Sequence, residues 1–103
     1  HHLVGEKEIF SMKPGSYLIN TSRGPIIEEK AVVRAIEQGH LAGYAADVFD
    51  NEPYDGPLIG LDNVWLTAHI GSSAQECRDN MEIRAAEDCI RVLRGQKAER
   101  LVV

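Results

Sequence analysis

Four side chains carry most of the chemistry this sequence can offer: Arg23, Asp47, Glu52 and His69. The first apolar run, Tyr17-Leu18-Ile19-Asn20, leads into the polar turn Thr21-Ser22-Arg23-Gly24-Pro25. The second ends at Asp47, with Glu52 in the loop just beyond it. The third, Val64-Trp65-Leu66-Thr67, leads into Ala68-His69-Ile70-Gly71. Buried strands that deliver ionisable groups at their carboxyl ends are a common way for an α/β sheet to build a site. If the three runs pair in parallel, Arg23, Asp47 and His69 converge on one edge.

Each group has a chemical use and a plainer alternative. Histidine is the usual side chain for proton transfer near neutral pH, which makes His69 a candidate for that role; it could equally be a turn histidine bonded to backbone. Glu52 could hold the His69 ring, because a carboxylate beside an imidazole favours its charged form; otherwise it is a solvated loop acid. Arg23 offers a planar fork that grips a carboxylate, or it pairs with Glu28 at the surface. Asp47 can accept hydrogen bonds from a ligand amide, or it caps the 47–51 turn. Metal binding by His69, Asp47 and Glu52 lacks short spacing such as His-x-x-x-His, and no metal is expected. There is no Gly-x-Ser-x-Gly elbow and no Gly-x-Gly-x-x-Gly fingerprint, so the sequence itself displays neither a serine nucleophile nor a dinucleotide site.

The elements that must position these groups follow from pattern. Residues 6–13 read as a short helix stopped by Pro14-Gly15. Residues 17–20, 41–49 and 63–67 read as strands. Ala and Gly in the second strand leave room for helices to approach. Residues 28–38 are helical, with Ala31, Val32, Ala35 and Ile36 on one face and Gly39 as a left-handed C-cap. Residues 50–61 form a loop. Ser73-Ala74-Gln75-Glu76 has the form of a capping box, opening a long helix over 73–94 that Gly95 ends. An apolar stripe of Ala74, Cys77, Met81, Ala85, Cys89 and Val92 or Leu93 runs along it. Leu101-Val102-Val103 reads as a short strand or packing arm. Alternating strands and helices imply an α/β fold with parallel pairing and right-handed crossovers.

The chain has 103 residues, 44% hydrophobic and 26% charged, with a formal net charge of -5. That is one domain at most. The negative charge argues against nucleic-acid binding. No apolar run approaches the roughly 20 residues that span a bilayer. Cys77 and Cys89 are twelve residues apart, about 18 Å along one helix, too far for a mutual disulfide. Free thiols favour a cytoplasmic setting.

These residues resemble the D-isomer-specific 2-hydroxyacid dehydrogenases. The resemblance rests on Asn20-Thr21-Ser22-Arg23-Gly24, on Ala45-Ala46-Asp47-Val48-Phe49-Asp50-Asn51-Glu52-Pro53, and on Thr67-Ala68-His69-Ile70-Gly71, in order and at family spacing. His2-Leu3-Val4-Gly5 and Ser11-Met12-Lys13-Pro14-Gly15 extend it. The resemblance implies that Arg23 binds the substrate carboxylate, that His69 is the acid–base group, and that Glu52 is its partner. It implies that Asp47 holds the nicotinamide carboxamide. Thr21, Ser22, Arg23, His69, Gly71 and Ser72 line the nicotinamide side. NAD is the implied cofactor, with NADP equally compatible, and a small 2-hydroxyacid such as 3-phosphoglycerate the implied substrate. The run His69-Ile70-Gly71-Ser72-Ser73 looks most like the phosphoglycerate dehydrogenase branch. Glu52, where the formate dehydrogenase branch carries glutamine, argues against that branch. Ala68 stands where the family usually has proline, and Glu28 where it often has aspartate.

The implied fold is the second half of a Rossmann-type parallel sheet with a long C-terminal helix. Residues 1–103 would then be the C-terminal part of a NAD-binding domain, without its glycine-rich phosphate loop. The 73–94 helix would return to a missing substrate domain, leaving its stripe exposed and one sheet edge unpaired. The isolated chain is expected to be inactive and the intact protein a homodimer. A NAD-binding transcriptional co-regulator on the same fold, or a non-catalytic fragment, is the alternative.

Overall fold

The computed structural model describes residues 2–100, so the 101–103 tail lies outside the described residues. The chain forms two compact units, one through Ile70 and one from Gly71.

In the first unit, helix α1 (Glu6–Ser11) is followed by strand β1 (Ser16–Asn20), helix α2 (Glu29–Glu37), strand β2 (Leu41–Ala46) and strand β3 (Val64–Leu66). The sheet order is β1-β2-β3 and both pairings are parallel. The alternating pattern of apolar runs and helical stretches therefore folds as expected, with helix α2 as the crossover between two parallel strands.

The β1 and β2 side chains alternate between two faces. Leu18, Tyr44, Ala46, Val64 and Leu66 join a core with Ile9, Ile27, Ala31, Val32, Ala35, Ile36, Leu41 and Leu58. Ile9, Val32 and Leu41 are fully buried, and each contributes on the order of 1.5–3 kcal/mol. On the opposite face Tyr17, Ile19 and Trp65 remain exposed. Helix α2 packs against β2, as the small residues of that strand allow. On the opposite face a Cβ on Gly43 would lie 2.9 Å from the Trp65 ring and 3.0 Å from the Tyr17 ring, so aromatic side chains fill the space beside Gly43.

Helix α2 ends as its sequence predicts: Gly39 adopts φ 68°, and His40 N donates to Ala35 O at 2.9 Å. Arg34 of α2 reaches Glu6 at 3.0 Å and Glu28 at 3.9 Å, tying the first helix to the start of the second. Strand β2 is shorter than the 41–49 reading. It leaves the ladder at Ala46, where the Asp47 side chain bonds to the 67–70 turn and the Phe49 amide turns to Glu52 of its own loop.

The second unit holds helix α3 (Gln75–Leu93), ended by Gly95 at φ 73°. No residue of α3 is buried, and Met81, Ile83, Ile90, Val92 and Leu93 are exposed. Cys77 and Cys89 are free thiols. The capping box does not form. Ala74 is the N-cap, no side chain caps the helix, and the Cys77 and Arg78 amides bond to Ala74 O. Starting one residue later puts Ser73 outside the cap. Arg100 folds back on α3, bonding Asp88 at 3.0 Å and Glu87 at 3.1 Å. No helix among the described residues is long and apolar enough to cross a membrane.

Candidate functional site

The three strand ends are in register. Asn20 pairs with Ala46, and Ala46 with Leu66. Backbone bonds carry this alignment one residue further: Asp47 N donates to Asn20 O at 3.1 Å, and Thr67 N to Ala46 O at 3.0 Å. The loops carrying Arg23, Asp47 and His69 therefore leave one edge of the sheet side by side, as a parallel sheet requires.

Asn20 organises the first loop. It is 4% exposed, and it is the buried polar residue of this unit's core. Its amide donates to Arg23 O at 3.0 Å and its carbonyl accepts from Ser22 N at 3.1 Å. This is an Asx-type turn, in which one side chain replaces backbone partners. Thr21, Ser22 and Arg23 are displayed on its outer side, all exposed. The Arg23 guanidinium donates to Ser22 O at 2.7 Å. Glu28 pairs with Arg34 rather than with Arg23, and no carboxylate among the described residues pairs with Arg23.

The second and third loops interlock. Asp47 Oδ1 accepts from Thr67 Oγ1 at 2.6 Å and from Ile70 N at 2.9 Å. His69, between those donors, has φ 54°, in the left-handed region that few non-glycine residues occupy. Glu52 bridges the same loops: Oε1 accepts from Phe49 N at 3.0 Å, and Oε2 meets His69 Nδ1 at 2.9 Å. The His69 hydrogen bond, followed by the Phe49 amide, holds the Glu52 carboxyl below its usual range. Glu52 is thus a partner of His69 rather than a free loop acid, and Asp47 clamps the histidine turn.

The 49–52 loop approaches the first loop closely. A Cβ on Gly24 would lie 2.1 Å from Phe49 C, so glycine is the residue that fits. Tyr54 stacks on Phe49 with centroids 4.3 Å apart. Its hydroxyl accepts from Leu58 N at 3.1 Å. A cavity of about 440 Å³ opens beside Phe49, Glu52, Tyr54, Ile59 and Leu66. Thr67 and Ala68, which lead into His69, line it as well, and His69 itself does not.

Gly71 and Ser72, also expected at the site, fall in the second unit, where Ser72 O accepts from Arg78 Nε at 3.2 Å. Asn20 and Thr67 stood in the motifs without a role. Asn20 had a readable signal, an Asn at a strand end two residues before Ser22. Thr67 had none, because its partner is twenty residues away. Among the described residues no group of three His, Cys, Asp or Glu side chains is placed to hold a metal.

What this edge offers a ligand is an acceptor at Asp47, a cation at Arg23 and an imidazole buttressed on one nitrogen. A nicotinamide carboxamide needs an acceptor for its NH2 group, and a 2-hydroxyacid needs a cation and a proton carrier. The donor set fits both.

Comparison with known proteins places this geometry in context. A family model described as D-isomer specific 2-hydroxyacid dehydrogenase, NAD binding domain, matches residues 1–71. The chain is 43% identical over 104 residues to a glyoxylate reductase of Thermofilum pendens, covering 99% of this chain and 31% of that protein. It is 45% identical over 96 residues to D-3-phosphoglycerate dehydrogenase of Escherichia coli, covering 87% of this chain and 23% of that protein. Among solved structures, the PH0520 protein from Pyrococcus horikoshii OT3 matches with a TM-score of 0.84 and 40% identity, over 98% of this chain and 31% of that one. The chain thus spans about a third or less of the length of these relatives.

Proposed function

The chain belongs to the D-isomer-specific 2-hydroxyacid dehydrogenases, as part of their NAD-binding domain, and on that premise we propose that the protein carrying it transfers hydride between NAD and a short D-2-hydroxyacid. NADP would serve the same edge, since no residue of this chain is assigned to the adenosine ribose. The observation that carries the reading is the His69 Nδ1–Glu52 Oε2 bond of 2.9 Å at the carboxyl edge of the parallel sheet.

When bound, the nicotinamide exchanges hydride with the carbon bearing the hydroxyl. This chain's residues do the rest. His69 uses Nδ1 toward Glu52, which leaves Nε2 to take the hydroxyl proton during oxidation and return it during reduction. Glu52 stabilises the imidazolium formed in between and fixes the ring's orientation. Arg23 binds the substrate carboxylate through its planar fork and steadies the developing carbonyl. Asp47 accepts from the nicotinamide carboxamide, while Thr21, Ser22, Gly71 and Ser72 line the ring's side. In the longer protein α3 returns to the substrate domain, and its exposed apolar residues meet that domain.

The relatives are named for different acids, a glyoxylate reductase and a D-3-phosphoglycerate dehydrogenase. The first substrate to try remains 3-phosphoglycerate, beside glyoxylate and pyruvate. Steady-state turnover of the longer protein on that panel tests the reading. We expect His69→Ala to lower kcat by about 10²–10⁴-fold, the usual yield of a positioned acid–base group. Arg23→Ala should act mainly on the KM of the acid. Unchanged turnover in His69→Ala would refute the role given to the histidine. Tight cofactor binding without turnover on any acid would favour a regulatory protein. The 103-residue chain alone should not turn over, because the phosphate loop is absent from it.

A further inference from the structure

His69 sits in the turn Thr67-Ala68-His69-Ile70, and one carboxylate spans that turn. Asp47 Oδ1 takes the Thr67 hydroxyl at 2.6 Å at the entry and the Ile70 amide at 2.9 Å at the exit. Asp47 is itself anchored, since its amide donates to Asn20 O at 3.1 Å. Thr67 is anchored as well, with its amide on Ala46 O at 3.0 Å. Asp47 and the entry to the turn are therefore fixed to the sheet, and Ile70 at the exit is tied to it through Asp47.

The turn needs holding. His69 has φ 54°, a backbone state that costs free energy unless its surroundings impose it. Ala68, unlike a proline, imposes no φ of its own. A neutral-to-ionic hydrogen bond as short as 2.6 Å is among the stronger contacts a surface loop can make. Moreover, the bond is placed to act on the ring. If the turn relaxes, the His69 ring leaves Glu52, whose other oxygen stays on Phe49 N at 3.0 Å.

We propose that Thr67 is a positioning residue for His69: its hydroxyl locks Asp47 across the 67–70 turn and so sets the direction in which the imidazole meets Glu52. The proposal rests on reading His69 and Glu52 as the acid–base pair. Thr67 touches neither substrate nor cofactor in this role. It acts through Asp47 and the backbone.

The test uses Thr67→Val, which keeps the shape and removes the donor, and Thr67→Ser, which keeps the donor. Thr67 is exposed, so neither change disturbs the core. The reading needs no turnover. NMR titration follows the Glu52 side-chain carboxyl, which His69 holds below its usual range, and amide exchange follows Ile70. In Thr67→Val the Glu52 midpoint should rise toward the ordinary glutamate range, and Ile70 exchange should quicken about tenfold. Thr67→Ser should match the wild type on both. An unmoved Glu52 midpoint in Thr67→Val would overturn the proposal, as would equal shifts in both variants. In the longer protein, Thr67→Val should lower kcat with little change in cofactor KM. A wild type with no turnover but with the Glu52 shift in Thr67→Val would fail the dehydrogenase reading and leave the clamp standing.

Discussion

Replacing Asn20 by alanine should loosen both the fold and the site, and the size of the effect can be worked from its bonds. Asn20 is 4% exposed. It gives one hydrogen bond to Arg23 O and receives one from Ser22 N. Each such bond contributes on the order of 1 kcal/mol net, and leaving its partly buried partner unpaired adds to the loss. Two bonds give about 2–3 kcal/mol. For a domain of this size each kcal/mol moves Tm by roughly 4–8 °C, so Asn20→Ala should melt roughly 10–20 °C below the wild type. Circular dichroism melts measure it directly. Amide exchange at Ser22 should quicken in the same variant, because its carbonyl partner is gone. A Tm within about 2 °C of the wild type, small against the expected fall, would refute the reasoning. It would mean that the Thr21–Arg23 loop holds its shape without Asn20.

Three further outcomes follow from the same geometry. Burial pushes the Tyr44 hydroxyl from 10.0 up to about 12, and that of Tyr54 likewise to about 12. The folded chain therefore holds protons that the unfolded chain releases above pH 10. Stability should be full below that pH and fall as pH rises toward 12, by up to about 3 kcal/mol for Tyr44; urea melts of a Tyr44→Phe, Tyr54→Phe variant should show a flatter profile. The depressed Glu52 carboxyl runs the other way: its contribution is present above 4.5 and is lost as pH falls through the lower folded value. His69→Ala should raise the Glu52 titration toward the ordinary range by NMR, with the Phe49 amide still holding part of the shift. Gly24→Ala should cost about 1–3 kcal/mol in urea melts, since its Cβ would press on Phe49 C. It should also shift the Phe49 amide that holds Glu52.

Much of this architecture was legible because the apolar runs are short, separated by turn residues and followed by helical periods. Ala31, Val32, Ala35 and Ile36 all fell on the buried face, and Gly39 and Gly95 both took positive φ at helix ends. The parallel register then puts Asp47 and His69 on one edge, as expected from strands that alternate with helices. The boundaries of β2 were less legible. Val48 and Phe49 continue the apolar run, but Asp47 is drawn off by Thr67 and Ile70, distant partners that local pattern does not reveal, and Phe49 by Glu52 in the same loop. The α3 cap failed for a frame reason: Ser73 and Glu76 have capping spacing, yet the helix begins one residue beyond that frame. The neighbours of Gly43 were not legible, because the Tyr17 and Trp65 rings come from adjacent strands, contacts that only the register defines. Arg23 and Glu28 are close in sequence, but Arg34 reaches Glu28 from the next turns of α2.

The most direct test of the account is a titration of the isotope-labelled chain with nicotinamide mononucleotide, followed by amide chemical shifts. That probe carries the reactive ring and ribose phosphate without the adenosine half. The account predicts shifts concentrated at Thr21, Ser22, Asp47, His69, Gly71 and Ser72, diminished by Asp47→Ala. Shifts confined to the cavity around Phe49, Tyr54 and Ile59, or none at any of the six, would contradict the claim that this sheet edge is the nicotinamide side of a dehydrogenase site.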